Sequence, residues 1–125
     1  MGGFFGAAAH HDVVLDVFFG VDYHSHLGTK CAGMIFHDAE EGCFQREIHS
    51  IENTPFRTRF EDDLQGFHGC SGIGCISDTD PQPLLVRSHL GTFGITRWAP
   101  SNNAEELVRE LASAPAVHGH RARAR

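Results

Sequence analysis

Apolar residues recur with two different periods along the first half of the chain, and these periods predict strands and helices. The run FFGAAA at residues 4–9 predicts a short buried strand that starts almost at the amino terminus. A helix follows, with Asp12 as its N-cap, because Val and Phe recur at helical spacing from position 13 to 21. The segments CAGMIFH and CFQREIH flank DAEEG and predict a β-hairpin, with Gly42 available for a positive φ in its turn.

The second half of the chain continues this alternation of strands and helices. Residues 57–65 predict one or two helical turns, with Arg57–Glu61 and Arg59–Asp63 ion pairs. A buried strand is predicted at SGIGCISD, and a second hairpin at PLLVRSHLG and TFGITRW. A capped helix is predicted at NNAEELVRELASA, with an apolar stripe formed by Leu107, Val108 and Leu111. The order β-α-β-β-(α)-β-β-β-α predicts an α+β domain with a mostly antiparallel sheet over residues 1–114. Residues 115–125 are basic and lack apolar periodicity, so we expect a disordered tail there.

Composition and charge narrow the classes of protein to consider. The chain has 125 residues, a formal net charge of −6 and ten histidines, so we expect no nucleic-acid partner. No apolar run approaches the roughly 20 residues of a membrane span, and the start lacks a basic leader region, so we expect a cytoplasmic protein without a membrane partner. The four cysteines form no CxxC pair and are expected to be reduced thiols, mostly buried.

Candidate chemistry is sparse when the residues are considered alone. A strand that begins at residue 2 suits an enzyme whose nucleophile is the amino-terminal residue, but Gly2 has no side chain. His24 and His26 flank Ser25, yet no zinc-type spacing accompanies them, so we predict no metal site and no cofactor. Asp78 and Asp80 flank Thr79; the pair either caps a tight turn or binds a cation or a ligand's amine, and we favour the turn.

Three segments together resemble the glutaminase domains of class II glutamine amidotransferases. MGGFFG is similar to their opening Met-Cys-Gly-Ile-x-Gly, and HLGTKCAGM is similar to their His-Arg-Gly-x-x-x-Ala-Gly-Ile segment. FHGCSGIGCISDTDPQP resembles their Gly-x-x-Gly-Ile-Gly-His-x-Arg stretch, which leads to Gln-Pro. Among these domains the glutaminase domain of amidophosphoribosyltransferase is the most similar. The resemblance implies an N-terminal-nucleophile-type layered fold, with antiparallel sheets and flanking helices, that is incomplete in this chain.

The resemblance also implies where a substrate pocket would lie and which of its groups are missing. Gly2 stands at the position of the nucleophilic Cys, and Ser77 stands where an Arg holds the carboxylate of glutamine. Leu27 replaces the Arg that follows the matching His26, and Trp98 and Ala99 are the nearest equivalents of an oxyanion-binding Asn-Gly pair. Asp78 is placed toward the same pocket. We therefore predict no catalytic residue, which puts glutamine binding in doubt.

Two classes of function follow from this sequence. The first is a glutaminase-like domain related to amidophosphoribosyltransferase, an enzyme of purine biosynthesis, that is inactive because Gly2 replaces the nucleophile. Its expected partners are a phosphoribosyltransferase domain and, if a sheet edge is exposed, a second copy of the chain. The alternative is a small, non-catalytic α+β module that binds a ligand or a metal. Cys75, with Cys70 nearby, is the replacement nucleophile we considered, and a packing role is favoured for both thiols.

Overall fold

The computed structural model describes residues 2–28, 30–97 and 103–113. Within these ranges the elements follow the predicted order. They are β1 (Gly3–Ala8), α1 (Val14–His24), a 3-10 turn (Ser25–Leu27), β2 (Cys31–Asp38), β3 (Cys43–Ser50), α2 (Phe56–Phe60), a 3-10 turn (Asp63–Gln65), β4 (Ser71–Ser77), β5 (Leu84–Ser88), β6 (Gly91–Ile95) and α3 (Ala104–Ser113). The predicted tail at residues 115–125 lies outside the described residues.

Four of the strands form one antiparallel sheet in the order β1-β4-β2-β3. Strand β4 therefore lies between β1 and β2, and its register pairs Gly3 with Ile76 and Cys31 with Ser77. The remaining two strands, β5 and β6, pair with each other as a separate antiparallel hairpin. This arrangement confirms the predicted α+β class with antiparallel sheets.

Helix α1 covers one face of the four-stranded sheet and forms the core with it. Val17 and Val21 of the helix are fully buried, as are Met34 and Phe36 of β2. Gly74 of β4 lies directly beneath the helix, because a Cβ at this position would overlap the Val21 side chain. Burial of each large apolar side chain contributes about 1.5–3 kcal/mol. The apolar residues that recur at helical spacing in the sequence therefore form the contact between α1 and the sheet.

The β5–β6 hairpin lies over the other face of the sheet. A Cβ on Gly94 of β6 would lie 3.1 Å from Ile35 Cδ1 of β2, so the β6 backbone lies close against the Ile35 side chain there. Arg46 of β3 adds a polar link, because its Nε donates a hydrogen bond to the Pro83 carbonyl oxygen over 2.7 Å. Helices α1 and α2, the four-stranded sheet and the β5–β6 hairpin thus form three layers.

Several local predictions differ from the observed contacts. Helix α1 continues through Gly20 to His24, and Asp12 Oδ1 accepts the backbone N–H of Val14 over 3.0 Å although Val13 is the N-cap. Arg57 pairs with Asp22 of α1 at 2.6 Å, so the expected pairing with Glu61 was wrong. An ion pair with a residue on a neighbouring helix replaces the expected pair within one helix.

The last described helix, α3, exposes part of its predicted apolar stripe. Leu107 and Val108 are 44% and 65% exposed, so these two side chains are not part of the core. Among the described residues, no helix combines the length and the apolar character needed to cross a membrane.

Candidate functional site

The amino-terminal end of the sheet brings together residues that are far apart in the sequence. Gly3 of β1 lies opposite Ile76 of β4, so continuing this antiparallel register by one residue places Gly2 opposite Ser77. Ser77 also pairs with Cys31, the first residue of β2. The two positions that the resemblance singled out, for the nucleophile and for the group that holds the substrate carboxylate, therefore lie at the same end of the sheet.

The end of α1 and the 3-10 turn after it border the same end of the sheet. A Cβ on Gly3 would lie 3.5 Å from His24 Cβ and 3.6 Å from Leu27 Cδ1. Leu27 therefore lies beside the start of β1, while His26 is exposed in the 3-10 turn. We call Gly2, Leu27, Cys31, Ser77 and Asp78 the sheet-end site.

The two histidines that flank Ser25, His24 and His26, do not lie on a strand. His24 is the last residue of α1, and its Nδ1 lies 2.7 Å from the Gly20 carbonyl oxygen. His26 belongs to the 3-10 turn. The two histidines therefore lie in different secondary-structure elements.

The loop after β4 supplies the polar groups of the sheet-end site. Asp78 Oδ1 accepts the backbone N–H of Lys30 over 3.3 Å, a contact 48 residues away in sequence. Ser77 Oγ accepts the Thr79 N–H over 3.3 Å and therefore stabilises the local turn. Ser77 thus contributes a hydrogen bond to this turn, and Asp78 connects the loop to the residue before β2.

A second charged contact of this loop joins Asp80 to Arg97. Arg97 Nη2 donates a hydrogen bond to Asp80 Oδ2 over 2.8 Å, and its backbone N–H donates to Gln82 Oε1 over 2.7 Å. Gln82 is 3% exposed and also accepts a hydrogen bond from Thr96 Oγ1. The residues directly after β6 are thereby held against the loop after β4. Trp98 and Ala99, the expected oxyanion positions, lie outside the described residues.

Cys31 is the residue of this site that the sequence interpretation missed. Its Sγ lies 3.1 Å from the Ser77 carbonyl oxygen, to which it donates a hydrogen bond. Burial raises the pKa of the Cys31 thiol, and the nearby carboxylates of Asp78 and Asp80 raise it further. The side chain is therefore held as a neutral thiol. In the sequence, the only indication of a role for Cys31 was its position at the start of a predicted strand. Its proximity to Ser77 follows from the pairing of β2 with β4.

The other thiols have different environments. Cys75 is 2% exposed, and burial is the main cause that raises its pKa. Cys70 is exposed, and Cys43 is partly buried. All four cysteines are free, as predicted, but the expectation that most are buried was wrong, because only Cys75 is buried. A buried neutral thiol such as Cys75 suits a packing role.

Comparisons with known proteins support the fold. No protein-family model matches the sequence, and a search of curated proteins finds no match. Among solved structures, the chain is similar to glutamine phosphoribosylpyrophosphate (PRPP) amidotransferase from B. subtilis, complexed with ADP and GMP. The TM-score is 0.73 and the identity is 23% over 90% of this chain, which spans only 25% of that one. This chain therefore shares its fold with about a quarter of that enzyme's length. The fold is consistent with part of an N-terminal-nucleophile-type architecture.

Proposed function

We propose that this chain is a glutaminase-like domain of the amidophosphoribosyltransferase type that does not hydrolyse glutamine. The observation that carries the proposal is the antiparallel pairing of Gly3 with Ile76, because continuing this register brings Gly2 and Ser77 to the same end of the sheet. In the family that the sequence resembles, these two positions hold the nucleophilic Cys and the Arg that pairs with the substrate carboxylate. The structural similarity to PRPP amidotransferase supports placing the two positions in one pocket.

The chemistry of the sheet-end site argues against a glutaminase reaction. Glutamine hydrolysis through a covalent intermediate needs a nucleophile, and Gly2 carries none. Cys31 does not replace it, because burial and two carboxylates disfavour its thiolate, which is the reactive form. Loss of one oxyanion donor alone costs about 100- to 1000-fold in turnover, and loss of the nucleophile removes the covalent route altogether.

The charges near Ser77 also oppose binding of the glutamine carboxylate. An Arg would form a bidentate ion pair with that carboxylate, whereas the Ser77 hydroxyl provides one neutral hydrogen-bonding group. Asp78 follows Ser77 directly, and the Asp80 carboxylate is already paired with Arg97. An incoming carboxylate would therefore face negative charge where the family has positive charge.

In this proposal the domain has a structural or regulatory role in a cytoplasmic protein of purine biosynthesis. Its expected partner is a phosphoribosyltransferase domain, because such a domain follows the glutaminase domain in the family. The PRPP amidotransferase structure supports this expectation, since the matched region is a quarter of that longer chain.

The direct test is to incubate the purified chain with glutamine and measure glutamate. We expect no release above the enzyme-free background from the unaltered chain. The Cys31→Ala and Cys75→Ala variants should give the same background value. Robust glutamate release that either substitution abolishes would refute the proposal, because one of these thiols would then be the nucleophile.

A second test asks whether residues 2 and 77 form one glutamine pocket. Gly2→Cys is introduced alone and together with Ser77→Arg, Met1 removal is verified by mass, and labelling by an electrophilic glutamine analogue is followed by mass spectrometry. We expect Ser77→Arg to accelerate labelling of the Cys at position 2. A matched Gly66→Cys variant, with its thiol on an exposed loop, should show no such acceleration. Equal effects at both positions in folded variants would contradict a shared pocket.

A further inference from the structure

A second group of ionisable side chains lies at the other end of β2, away from the sheet-end site. Asp38, Glu41 and His68 place their donor atoms within 4.8 Å of one another, and we call them the carboxylate–imidazole trio. His68 Nε2 lies 2.9 Å from Asp38 Oδ2 and 3.7 Å from Glu41 Oε2. Seven residue steps along β2 separate Asp38 from Cys31, or about 23 Å at the rise of an extended strand. The trio is therefore a separate feature from the proposed glutaminase-like pocket.

The turn between β2 and β3 orients the Asp38 carboxylate and places Glu41 beside it. Asp38 Oδ1 accepts the backbone N–H groups of Glu40 and Glu41 over 2.9 and 3.4 Å. Gly42 closes the turn with φ +66°, a conformation that favours glycine. With Oδ1 engaged in the turn, Asp38 presents Oδ2 to His68. The Asp38 side chain is only 15% exposed, so its orientation is well defined by the turn.

The loop before β4 places His68 on the other side of the trio, where Gln45 Nε2 lies 2.9 Å from its Nδ1 and 3.1 Å from its Nε2. The His68 backbone N–H donates to Gln45 Oε1 over 2.7 Å, which attaches this loop to β3. The next residue, Gly69, has φ +154° and lies so close to the His37 backbone that a Cβ would overlap the His37 carbonyl oxygen. Its N–H also donates to Asp12 Oδ2 over 3.0 Å. The β2–β3 turn and the loop before β4, which are distant in sequence, thus bring one donor atom each from Asp38, Glu41 and His68 close together.

We propose that the carboxylate–imidazole trio binds one divalent transition-metal ion of the zinc class, with Asp38 Oδ2, Glu41 Oε2 and His68 Nε2 as ligands. One imidazole and two carboxylates form a donor set that zinc uses in proteins, whereas magnesium prefers oxygen ligands throughout. Three protein ligands leave a coordination position for water. The site goes beyond the proposed glutaminase-like function, and its presence or absence is independent of glutamine hydrolysis.

The competing explanation is an ion pair in which His68 joins the turn to the loop without any metal. The two explanations differ in their response to zinc. Metal ions compete with protons for imidazole and carboxylate ligands, so a real site binds zinc more weakly at pH 5.5 than at pH 7.5. A metal that binds only the folded chain also raises the melting temperature.

The experiment is a calorimetric titration of the chelator-stripped chain with zinc chloride, with magnesium chloride as the comparison. We expect one saturable zinc site per chain and no comparable magnesium binding. His68→Gln and Glu41→Gln should each weaken zinc binding by about 10-fold or more, since loss of a supporting outer group alone costs 10–100-fold. Glu40→Gln is the matched control, because Glu40 is exposed in the same turn but lies outside the trio, and its zinc affinity should be unchanged.

Thermal unfolding of the same chains separates a lost site from a lost fold. Without zinc, Glu41→Gln should melt close to the unaltered chain, because its carboxylate is 68% exposed. With zinc, the unaltered chain and Glu40→Gln should gain melting temperature, whereas His68→Gln and Glu41→Gln should gain little. Zinc binding that survives both trio substitutions, or no saturable zinc binding by the unaltered chain, would overturn the proposal.

Discussion

Gly33, in the middle of β2, lies where the loop before β5 crosses the sheet, and substituting it tests how the hairpin is held. A Cβ at this position would overlap the Gln82 carbonyl oxygen and would lie 2.9 Å from both the Gln82 carbonyl carbon and Ile48 Cγ1. Since comfortable carbon–carbon contacts begin near 3.5 Å, the loop would have to retreat by at least about 0.6 Å. Gly33→Ala is therefore expected to displace backbone rather than a mobile side chain.

The expected loss of stability can be worked out from these contacts. Overpacking against a well-packed interior costs about 1–3 kcal/mol, and backbone overlap places this case at the upper end. A displaced loop also strains the hydrogen bonds that buried Gln82 accepts from Thr96 and Arg97, each worth about 0.5–1.5 kcal/mol. Replacing Gly by Ala returns about 0.4–1 kcal/mol through the unfolded chain. The net expectation is a loss of about 2–5 kcal/mol in the free energy of unfolding, depending on how far the two hydrogen bonds are strained.

The assay is urea unfolding followed by far-ultraviolet circular dichroism, with Gly66→Ala as the control. Gly66 has φ −88°, and the nearest atom to its Cβ would be the Asp63 carbonyl oxygen at 3.6 Å, which is ordinary contact. We expect Gly66→Ala to be neutral or slightly stabilising. A Gly33→Ala chain with the unaltered urea midpoint, or equal losses from both substitutions, would refute the reasoning about the crossing loop.

Three further predictions concern the core, the sheet-end thiol and the outer face of the hairpin. Phe60→Ala should cost about 3–5 kcal/mol in urea unfolding, because this ring is fully buried; Phe93→Ala should cost much less, because that ring is 46% exposed. Asp78→Asn removes a carboxylate that raises the pKa of the Cys31 thiol, so this pKa should fall. Iodoacetamide should then alkylate Cys31 faster at pH 7.5, because the thiolate is the reactive form. An alkylation rate equal to that of an Asp62→Asn control would contradict this. If the exposed apolar face of the β5–β6 hairpin drives self-association, Phe93→Lys should shift the sedimentation of the chain toward monomer, and a monomeric unaltered chain would show that it does not.

Most of the fold could be predicted because its elements are encoded by local patterns. Periodic Val and Phe residues predicted α1, and the turn DAEEG with Gly42 predicted the β2–β3 hairpin. Glycine has a low helix propensity, yet α1 continues through Gly20, against which the Phe5 ring packs. In that case packing outweighed the low helix propensity of glycine.

The candidate site could be predicted only in part, because it depends on which strands are neighbours. The resemblance named Gly2, Leu27 and Ser77, and the antiparallel register places these residues at one end of the sheet. Cys31 was missed because its proximity to Ser77 arises from the pairing of β2 with β4. Nothing in the local pattern around either residue encodes that pairing.

By itself, the sequence determined the order of strands and helices and the absence of a side chain at the second position. Both are local properties, carried by apolar periodicity and by the identity of Gly2. Only the tertiary structure decided which distant groups meet: Gly3 with Ile76, and Asp38 with His68. The strand order β1-β4-β2-β3 and the loops that cross it create these encounters. Long-range pairing of this kind is set by packing of the whole chain, so no short segment of the sequence specifies it.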